Sequence, residues 1–182
     1  IDVIVQEQTE DVLKLGGLGG QLKSDESIFY YVQKRIPWLM INLGTAFLAA
    51  FTVTLFEDVI SQVVALASSM SIVTGMGGNA GNQTLSLTVR SIALGELELK
   101  KHWRKVFREV MIGVLQGAII GLFAGIILHL KVGNPMIGLI IFLAMIGNMM
   151  VASIFGFMVP LVLKRLNFDP ALGSSIFLTA AT

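Results

Sequence analysis

The stretch Gly75-Met-Gly-Gly-Asn-Ala-Gly-Asn-Gln83 decides how this chain is interpreted. It lies inside residues 59–89, which carry no charge and are long enough to enter a bilayer. Glycine lets the backbone leave helical geometry, and unpaired backbone groups in hydrocarbon cost several kcal/mol. Non-helical backbone therefore survives at membrane depth only where it is buried or faces water, typically along an ion or substrate pathway. The stretch predicts a broken membrane helix in a transporter or channel.

The composition agrees with a membrane protein. Of the 182 residues, 54% are hydrophobic and 14% are charged, whereas soluble domains carry about 25% charged residues. A net charge of +1, without a basic patch among aromatics, argues against nucleic acid as a partner. The absence of cysteine excludes a disulfide scaffold, a thiolate metal site and a cysteine nucleophile. Catalytic motifs such as Gly-x-Ser-x-Gly, a P-loop or His-Glu-x-x-His are also lacking, so the chain is predicted not to be an enzyme.

Uncharged segments predict an all-α polytopic bundle of five spans. Four spans are complete and the fifth stops short; they cover residues 36–56, 59–89, 110–128, 132–163 and 170–182. Lysine and arginine precede the first span, separate the second from the third and follow the fourth, which marks these segments as cytoplasmic. The N-terminus is therefore predicted to be cytoplasmic.

The first 35 residues are soluble in character. Residues 1–20 begin as a strand-like run, continue as a helix start and end in glycines, and residues 21–27 form a polar linker. Ser27 is predicted to cap an amphipathic helix over residues 28–35, ahead of Pro37. Because the first residue is not methionine and the fifth span is short, we interpret the chain as a fragment of a longer protein. Its transmembrane domain is assigned to residues 36–182.

The predicted break offers neutral oxygen atoms to an ion. Asn79 and Asn82 supply amide oxygens, and the glycines bring backbone carbonyls close. Such donors suit magnesium, which sheds water reluctantly and is held through its hydration shell. The alternative is a glycine hinge whose asparagines satisfy helix ends. The position at membrane depth favours the ion pathway.

Other residues of the spans predict packing rather than ion binding. Glycine recurs at every fourth residue of the third span, which is typical of a small-residue ridge that packs helix against helix. The ridge comprises Gly113, Gly117, Gly121 and Gly125. Asn42 and Asn148 are expected to form interhelical hydrogen bonds, and His129 is expected to reach the membrane interface.

Two acidic residues at span ends have alternative interpretations. Asp169 precedes Pro170, so it can bind an ion at the membrane entrance, cap the fifth helix, or do both. Glu109 can attract cations, but pairing with Arg108 or Lys105 is the preferred interpretation.

Three segments resemble the MgtE family of magnesium channels and transporters. Gly77-Gly-Asn-Ala-Gly-Asn-Gln-Thr84 is similar to the family's signature, and the match continues through residues 103–109 and 166–171. It covers the membrane part from about Pro37 onward. Residues 2–11 resemble the end of the paired CBS domains that precede this part, and residues 27–35 fall where the family has a connecting plug helix.

The resemblance implies a homodimer in the bacterial inner membrane, with a cation pathway lined by the second and fifth helices. It implies Mg²⁺ as both the transported and the regulatory ion, with closure by plug helices that cytosolic domains move. The residues it places near the ion are Gly78, Asn79, Asn82, Asp169, Ser175 and Thr179. Those it assigns to gating are Tyr31, Lys34 and Arg35. The family's principal ion-binding aspartate would fall one residue past Thr182.

The predicted function is uptake of hydrated Mg²⁺ through a pore, driven by the membrane potential. One alternative is an exchanger coupled to sodium or protons. Another is a membrane-embedded magnesium sensor that binds the ion without transporting it. The fragment is expected to retain a pore but to lose most magnesium-dependent closure, because most of the regulatory region lies outside it.

Overall fold

The computed structural model describes residues 27–62, 64–97, 103–170 and 174–182, without the side chains of residues 61, 62, 174 and 175. The predicted CBS remnant at residues 1–20 and the linker up to residue 26 lie outside these ranges. The described helices are α1 Ile28–Thr54, α2 Glu57–Gln62, α3 Val64–Ala93, α4 Trp103–Val132, α5 Pro135–Arg165 and α6 Ser174–Ala181. The described ranges contain no strand, so the all-α prediction is confirmed.

Among the described helices, α1, α4 and α5 are long and apolar enough to cross a membrane. They correspond to the predicted first, third and fourth spans. Helix α3 is equally long, at 30 residues, but its serines, threonines and amides make it less apolar. Helix α6 holds eight described residues of the predicted fifth span.

Helix α1 begins at the predicted cap and runs further than predicted. The backbone N–H of Tyr30 donates to Ser27 Oγ at 3.4 Å, which confirms the cap. The predicted helix end before Pro37 is wrong, because the helix passes through this proline and continues to Thr54. Proline has a φ suited to a helix and removes one hydrogen bond, a loss that membrane helices tolerate. The predicted plug helix and first span are therefore a single element.

The predicted break at residues 75–83 is also wrong, since α3 is helical without interruption from Val64 to Ala93. A glycine in a helix costs about 1 kcal/mol relative to alanine, but close packing can offset this cost. Gly77 packs against the side chain of Asn148, and Gly81 packs against Leu178. These glycines keep the helix intact because they allow other helices to approach it.

Helices α4 and α5 form an antiparallel pair along the glycine ridge. The ridge glycines are buried, and an added Cβ at Gly117 would lie 2.6 Å from the Cα of Ile146. Gly113 faces Met149, whereas Gly125 faces Gly138, so the two helices run in opposite directions. The ridge is therefore covered by α5.

The turn between α4 and α5 follows from three residues. Gly133 adopts a φ of 76°, which a residue with a Cβ rarely adopts. Asn134 then caps α5, because its Oδ1 accepts from the Met136 N–H at 2.9 Å. Pro135 occupies the first helical turn, where its missing N–H costs nothing.

Helix α3 lies parallel to α5, with Gly77 beside Asn148 and Gly81 beside Gly156. Helix α6 packs over both, since Leu178 shares a buried cluster with Leu85, Val89 and Ala152. The C-terminal ends of α3 and α5 therefore lie at the same end of the bundle as the N-terminal end of α4. We call it the basic end, because it carries Arg90, Arg104, Lys105, Arg108, Lys164 and Arg165.

Candidate ion pathway

Helix α3 has two chemically different faces. Its buried face packs toward α5 and α6 and consists of Ser69, Gly77, Ala80, Gly81, Thr84, Leu85, Thr88, Val89 and Ile92. At 100° per residue, the opposite face contains Asn79, Asn82, Gln83 and Ser86, all of which are exposed. We call these four residues the polar face of α3. An exposed row of amides and a hydroxyl halfway along a helix of this bundle needs water or protein against it.

The predicted ion-binding residues of α3 lie on or beside this face. Gly78 is half-buried, and no atom lies within 4 Å of the position that a Cβ would occupy there. The side chains of Asn79 and Asn82 project from the bundle. Their amides offer neutral oxygens on a regular helix, which differs from the unwound filter that the sequence predicted. Sequence reasoning missed Gln83 and Ser86, which helical periodicity places on the same face.

Helix α6, which carries Thr179, packs against α3. Leu178 packs against Gly81, and the neighbouring residues Thr179 and Asn82 are both exposed. Ser175 belongs to α6, but its side chain lies outside the described ones. The structure thus places the predicted residues of the second and fifth spans on helices in contact.

Asp169 lies in the connection between α5 and α6 at the basic end, where it is half-buried. Its predicted role as a helix cap falls on a segment that includes residues 171–173, which are outside the described ranges, so it stays a prediction. In the part of the chain that the structure describes, no three His, Asp or Glu side chains converge as a metal site. The oxygen donors of the polar face are neutral.

A second polar feature, which sequence reasoning missed, is a groove of about 160 Å³ at the basic end. Hydroxyls of α3 and charged side chains of α4 line it, among them Thr84, Thr88, Ser91, Lys105, Arg108 and Glu109. The spacing of the three α3 hydroxyls, at four and three residues, is the signal that could have revealed it.

The charged side chains that line this groove make polar contacts. Glu109 Oε1 lies 3.5 Å from Arg108 Nη2, which confirms the predicted pairing. The Glu109 side chain is 13% exposed and that of Arg108 is 71% exposed, so the acid faces inward and the cation outward. Lys105 Nζ donates to the Glu96 carbonyl at 3.1 Å and joins the start of α4 to the chain that follows α3.

The two other predicted polar residues of α4 and α5 have different outcomes. Asn148 Nδ2 donates to the Val73 carbonyl at 2.6 Å, which confirms an interhelical hydrogen bond. His129 is half-buried, and its Nδ1 is a buried atom with no hydrogen-bond partner among the described residues. The position of His129 at the membrane interface stays a prediction. The side-chain bond predicted for Asn42 stays a prediction.

The described residues form an all-helical bundle in which three helices are long and apolar enough to cross a membrane, as in a multi-pass membrane protein. Residues 70–182 match the MgtE family of divalent cation transporters, and the chain belongs to that family. The match includes residues 77–84 and confirms the resemblance to this family that the sequence motif indicated. The family's description as transporters also fits the prediction that the chain is not an enzyme.

Similar proteins are found in three bacteria. The magnesium transporter MgtE of Bacillus subtilis is 30% identical over 179 residues, which cover 98% of this chain and 40% of that protein. The Enterococcus faecalis magnesium transporter MgtE is 32% identical, with coverages of 98% and 39%. That of Thermus thermophilus is 34% identical, with coverages of 96% and 39%. The chain thus spans about 40% of the length of these relatives.

Proposed function

We propose that this chain forms the membrane part of a Mg²⁺ uptake pathway in which the hydrated ion moves along the polar face of α3. The observation that carries the proposal is that this face is exposed although α3 packs within a membrane bundle. Amide groups facing hydrocarbon are costly, whereas amides along a water-filled pathway replace part of an ion's outer hydration. The naming of the relatives as magnesium transporters supports Mg²⁺ as the transported ion.

The pathway is enclosed by a second copy of the chain. A twofold axis beside α3 would bring two polar faces together around water, with Thr179 and the rest of α6 alongside. The glycine ridge of α4 does not form this interface, because α5 already covers it.

The membrane potential drives the ion inward. A potential of 100 mV is worth about 2.3 kcal/mol per charge, hence about 4.6 kcal/mol for a divalent cation. Basic residues between spans favour a cytoplasmic N-terminus, so the basic end faces the cytoplasm of a bacterial inner membrane. Asp169 at this end attracts the ion as it leaves the pathway.

Closure involves the start of α1. Because residues 28–35 and the first span form one helix, a force applied to the plug segment would move α1 as a whole. Lys34 Nζ lies 5.7 Å from the ring centre of Tyr30, and this ring meets Tyr31 edge to face. Tyr31, Lys34 and Arg35 would transmit magnesium binding in the cytosolic domains to this helix.

The test is Mg²⁺ flux into proteoliposomes that hold the full-length protein, with the potential clamped and no counter-gradient. Asn79→Ala is expected to reduce flux severalfold, because it removes one amide from the polar face while leaving the buried face of α3 unchanged. Asn42→Ala is the matched control, since it removes the same side chain from α1. Both variants are first compared with the parent by size-exclusion chromatography.

Equal flux in Asn79→Ala and the parent would remove the polar face from the pathway. Flux that requires a sodium or proton gradient would indicate an exchanger. Magnesium binding without flux under either condition would indicate a sensor. The latter two results would each reject the potential-driven pore.

A further inference from the structure

The exposed polar residues of α3 extend beyond its polar face in both directions. Toward the start of the helix, Ser68 and Ser71 are exposed, and their hydroxyls donate to backbone carbonyls of the preceding turn at 3.0 and 3.3 Å. Both hydroxyl oxygens can still accept hydrogen bonds from water. Toward the end of the helix, Arg90 is exposed one turn past Ser86. At 100° per residue, Ser68 and Arg90 each lie within about 20° of Asn79 around the helix axis.

We call Ser68, Ser71, the polar face and Arg90 together the polar stripe of α3. At a rise of about 1.5 Å per residue, the stripe is about 33 Å long, and the hydrocarbon core of a bilayer is about 30 Å thick. The stripe is therefore long enough to line a pathway across the whole membrane. It begins with hydroxyls and ends with a guanidinium at the basic end.

The charge of Arg90 is not compensated by its surroundings. Arg90 is the one charged residue of α3. In the part of the chain that the structure describes, its guanidinium makes no hydrogen bond or ion pair. Glu109, the inward-facing acid at the same end, is paired with Arg108 instead. Since a guanidinium stays protonated in proteins, a fixed positive charge lies at one end of the polar stripe.

We propose that Arg90 limits the rate of Mg²⁺ transport by forming an electrostatic barrier at the basic end of the pathway. The inference rests on the proposed function, because this barrier acts only on an ion that follows the polar face of α3. At equal distance, a guanidinium repels a divalent cation about twice as strongly as a monovalent one. A second copy related by a twofold axis places its own Arg90 at the same end and raises the barrier further.

The alternative role of Arg90 is contact with lipid headgroups, because arginine is common where membrane helices leave the hydrocarbon. Its position around the helix axis favours the pathway, since Asn82 and Ser86 precede it on the same side of α3. The two roles differ in their effect on transport. An arginine that contacts only lipid is remote from the moving ion, and removing its charge would leave the transport rate unchanged.

The test measures the initial rate of Mg²⁺ uptake into proteoliposomes that hold the full-length protein, at one clamped potential and without internal Mg²⁺ at the start. Arg90→Gln is expected to raise this rate about fivefold, which corresponds to removing one charge about 8 Å from a divalent ion in water. Arg90→Lys keeps the charge and is expected to match the parent. Arg104→Gln is the matched control, because it removes an exposed cation from α4 at the same end.

Ionic strength separates an effect of charge from an effect of packing. The Debye length falls from about 10 Å at 0.1 M salt to about 3 Å at 1 M. Screening therefore lowers the barrier in the parent and has less effect in Arg90→Gln. The ratio of the uptake rates of Arg90→Gln and the parent is expected to fall toward one as salt is raised on both sides of the membrane. Size-exclusion chromatography of each variant checks that the fold is retained.

Three results would overturn the proposal. One is an uptake rate in Arg90→Gln that equals or falls below that of the parent. Another is an equal gain in Arg104→Gln, which would indicate a general effect of surface charge. The third is a ratio that does not change with salt.

Asn79→Ala distinguishes a failure of this inference from a failure of the proposed function. If Asn79→Ala lowers the uptake rate and Arg90→Gln leaves it unchanged, the polar face still lines the pathway and the barrier alone is rejected. If neither variant changes the rate, the pathway along α3 is rejected together with the barrier.

Discussion

At the scale of single residues, the atoms that face a glycine decide whether its substitution by alanine lowers or raises stability. Gly117 faces the backbone of α5, whereas no atom lies within 4 Å of a Cβ added at Gly147. Both are inside long helices, so alanine gains up to about 1 kcal/mol of helix propensity at either site. At Gly117 the new methyl would lie 2.6 Å from the Ile146 Cα, and overpacking costs about 1–3 kcal/mol. Gly117→Ala is therefore expected to lower the thermal unfolding midpoint.

Gly147→Ala is the control and is expected to leave this midpoint unchanged or to raise it. The measurement is the unfolding midpoint of the full-length protein in one detergent. If the two variants shift it equally, the close approach of α4 and α5 is contradicted.

A second prediction at this scale concerns Gly77 and Asn148. The Asn148 side chain bonds to the Val73 carbonyl and packs against Gly77, so a methyl group at residue 77 would displace it. Gly77→Ala and Asn148→Ala are each expected to lower stability by about 1 kcal/mol. Their double variant is expected to lose less than the sum, because the methyl then enters space that Asn148 has left. Unfolding midpoints of the four proteins give the coupling, and strict additivity would rule out the contact.

At the scale of elements, the apolar pattern predicted the existence of the long helices better than their ends. The third span was predicted at residues 110–128, but α4 runs Trp103–Val132. Its first turns carry Arg104, Lys105 and Arg108. These charged residues belong to the helix, although their charge excludes them from the hydrocarbon span. Charge therefore marks where the membrane ends and does not mark where hydrogen bonding ends.

The predicted break in α3 failed for a physical reason. Single-residue preferences at residues 75–83 favour a departure from the helix, since glycine and asparagine are poor helix formers. Whether the helix survives depends on Leu178 and Asn148, which are distant in sequence and pack against Gly81 and Gly77. The asparagines could be predicted as candidates from residue type alone, but their grouping with Gln83 and Ser86 requires that the helix be continuous.

Because α3 is a continuous helix, its solvent accessibility is expected to vary with the helical period. Single cysteines placed along residues 77–89 of a cysteine-free full-length protein are expected to react with a water-soluble thiol reagent at a helical period. Positions 79, 82, 83 and 86 should react, whereas 80, 81, 84 and 85 should be protected. Uniform reactivity across residues 77–83 would indicate an unwound segment.

At the scale of the whole molecule, the surfaces that one chain leaves exposed must be covered by lipid, water or another protein surface. Helix α1 has no buried residue, and the polar face of α3 has no cover from the described helices of its own chain. Lipid can cover the apolar side chains of α1, but it cannot satisfy the amides of α3. The sequence could indicate which side chains are polar. It could not indicate which are left uncovered, because this depends on how α5 and α6 occupy the other side of α3.

The last prediction tests how transport is driven. In a passive pathway, Mg²⁺ distributes until its gradient balances the potential, and about 60 mV across the membrane is worth about 2.8 kcal/mol for two charges. This energy corresponds to an accumulation of about 100-fold inside vesicles that are negative by this potential. An electroneutral exchanger would give a ratio that follows the counter-ion gradient and ignores the potential. Internal Mg²⁺, measured with a trapped indicator in vesicles clamped by potassium and valinomycin, should rise by about tenfold for each additional 30 mV. A ratio that stays constant as the potential changes would rule out the passive pathway, whatever role Asn79 has in the flux.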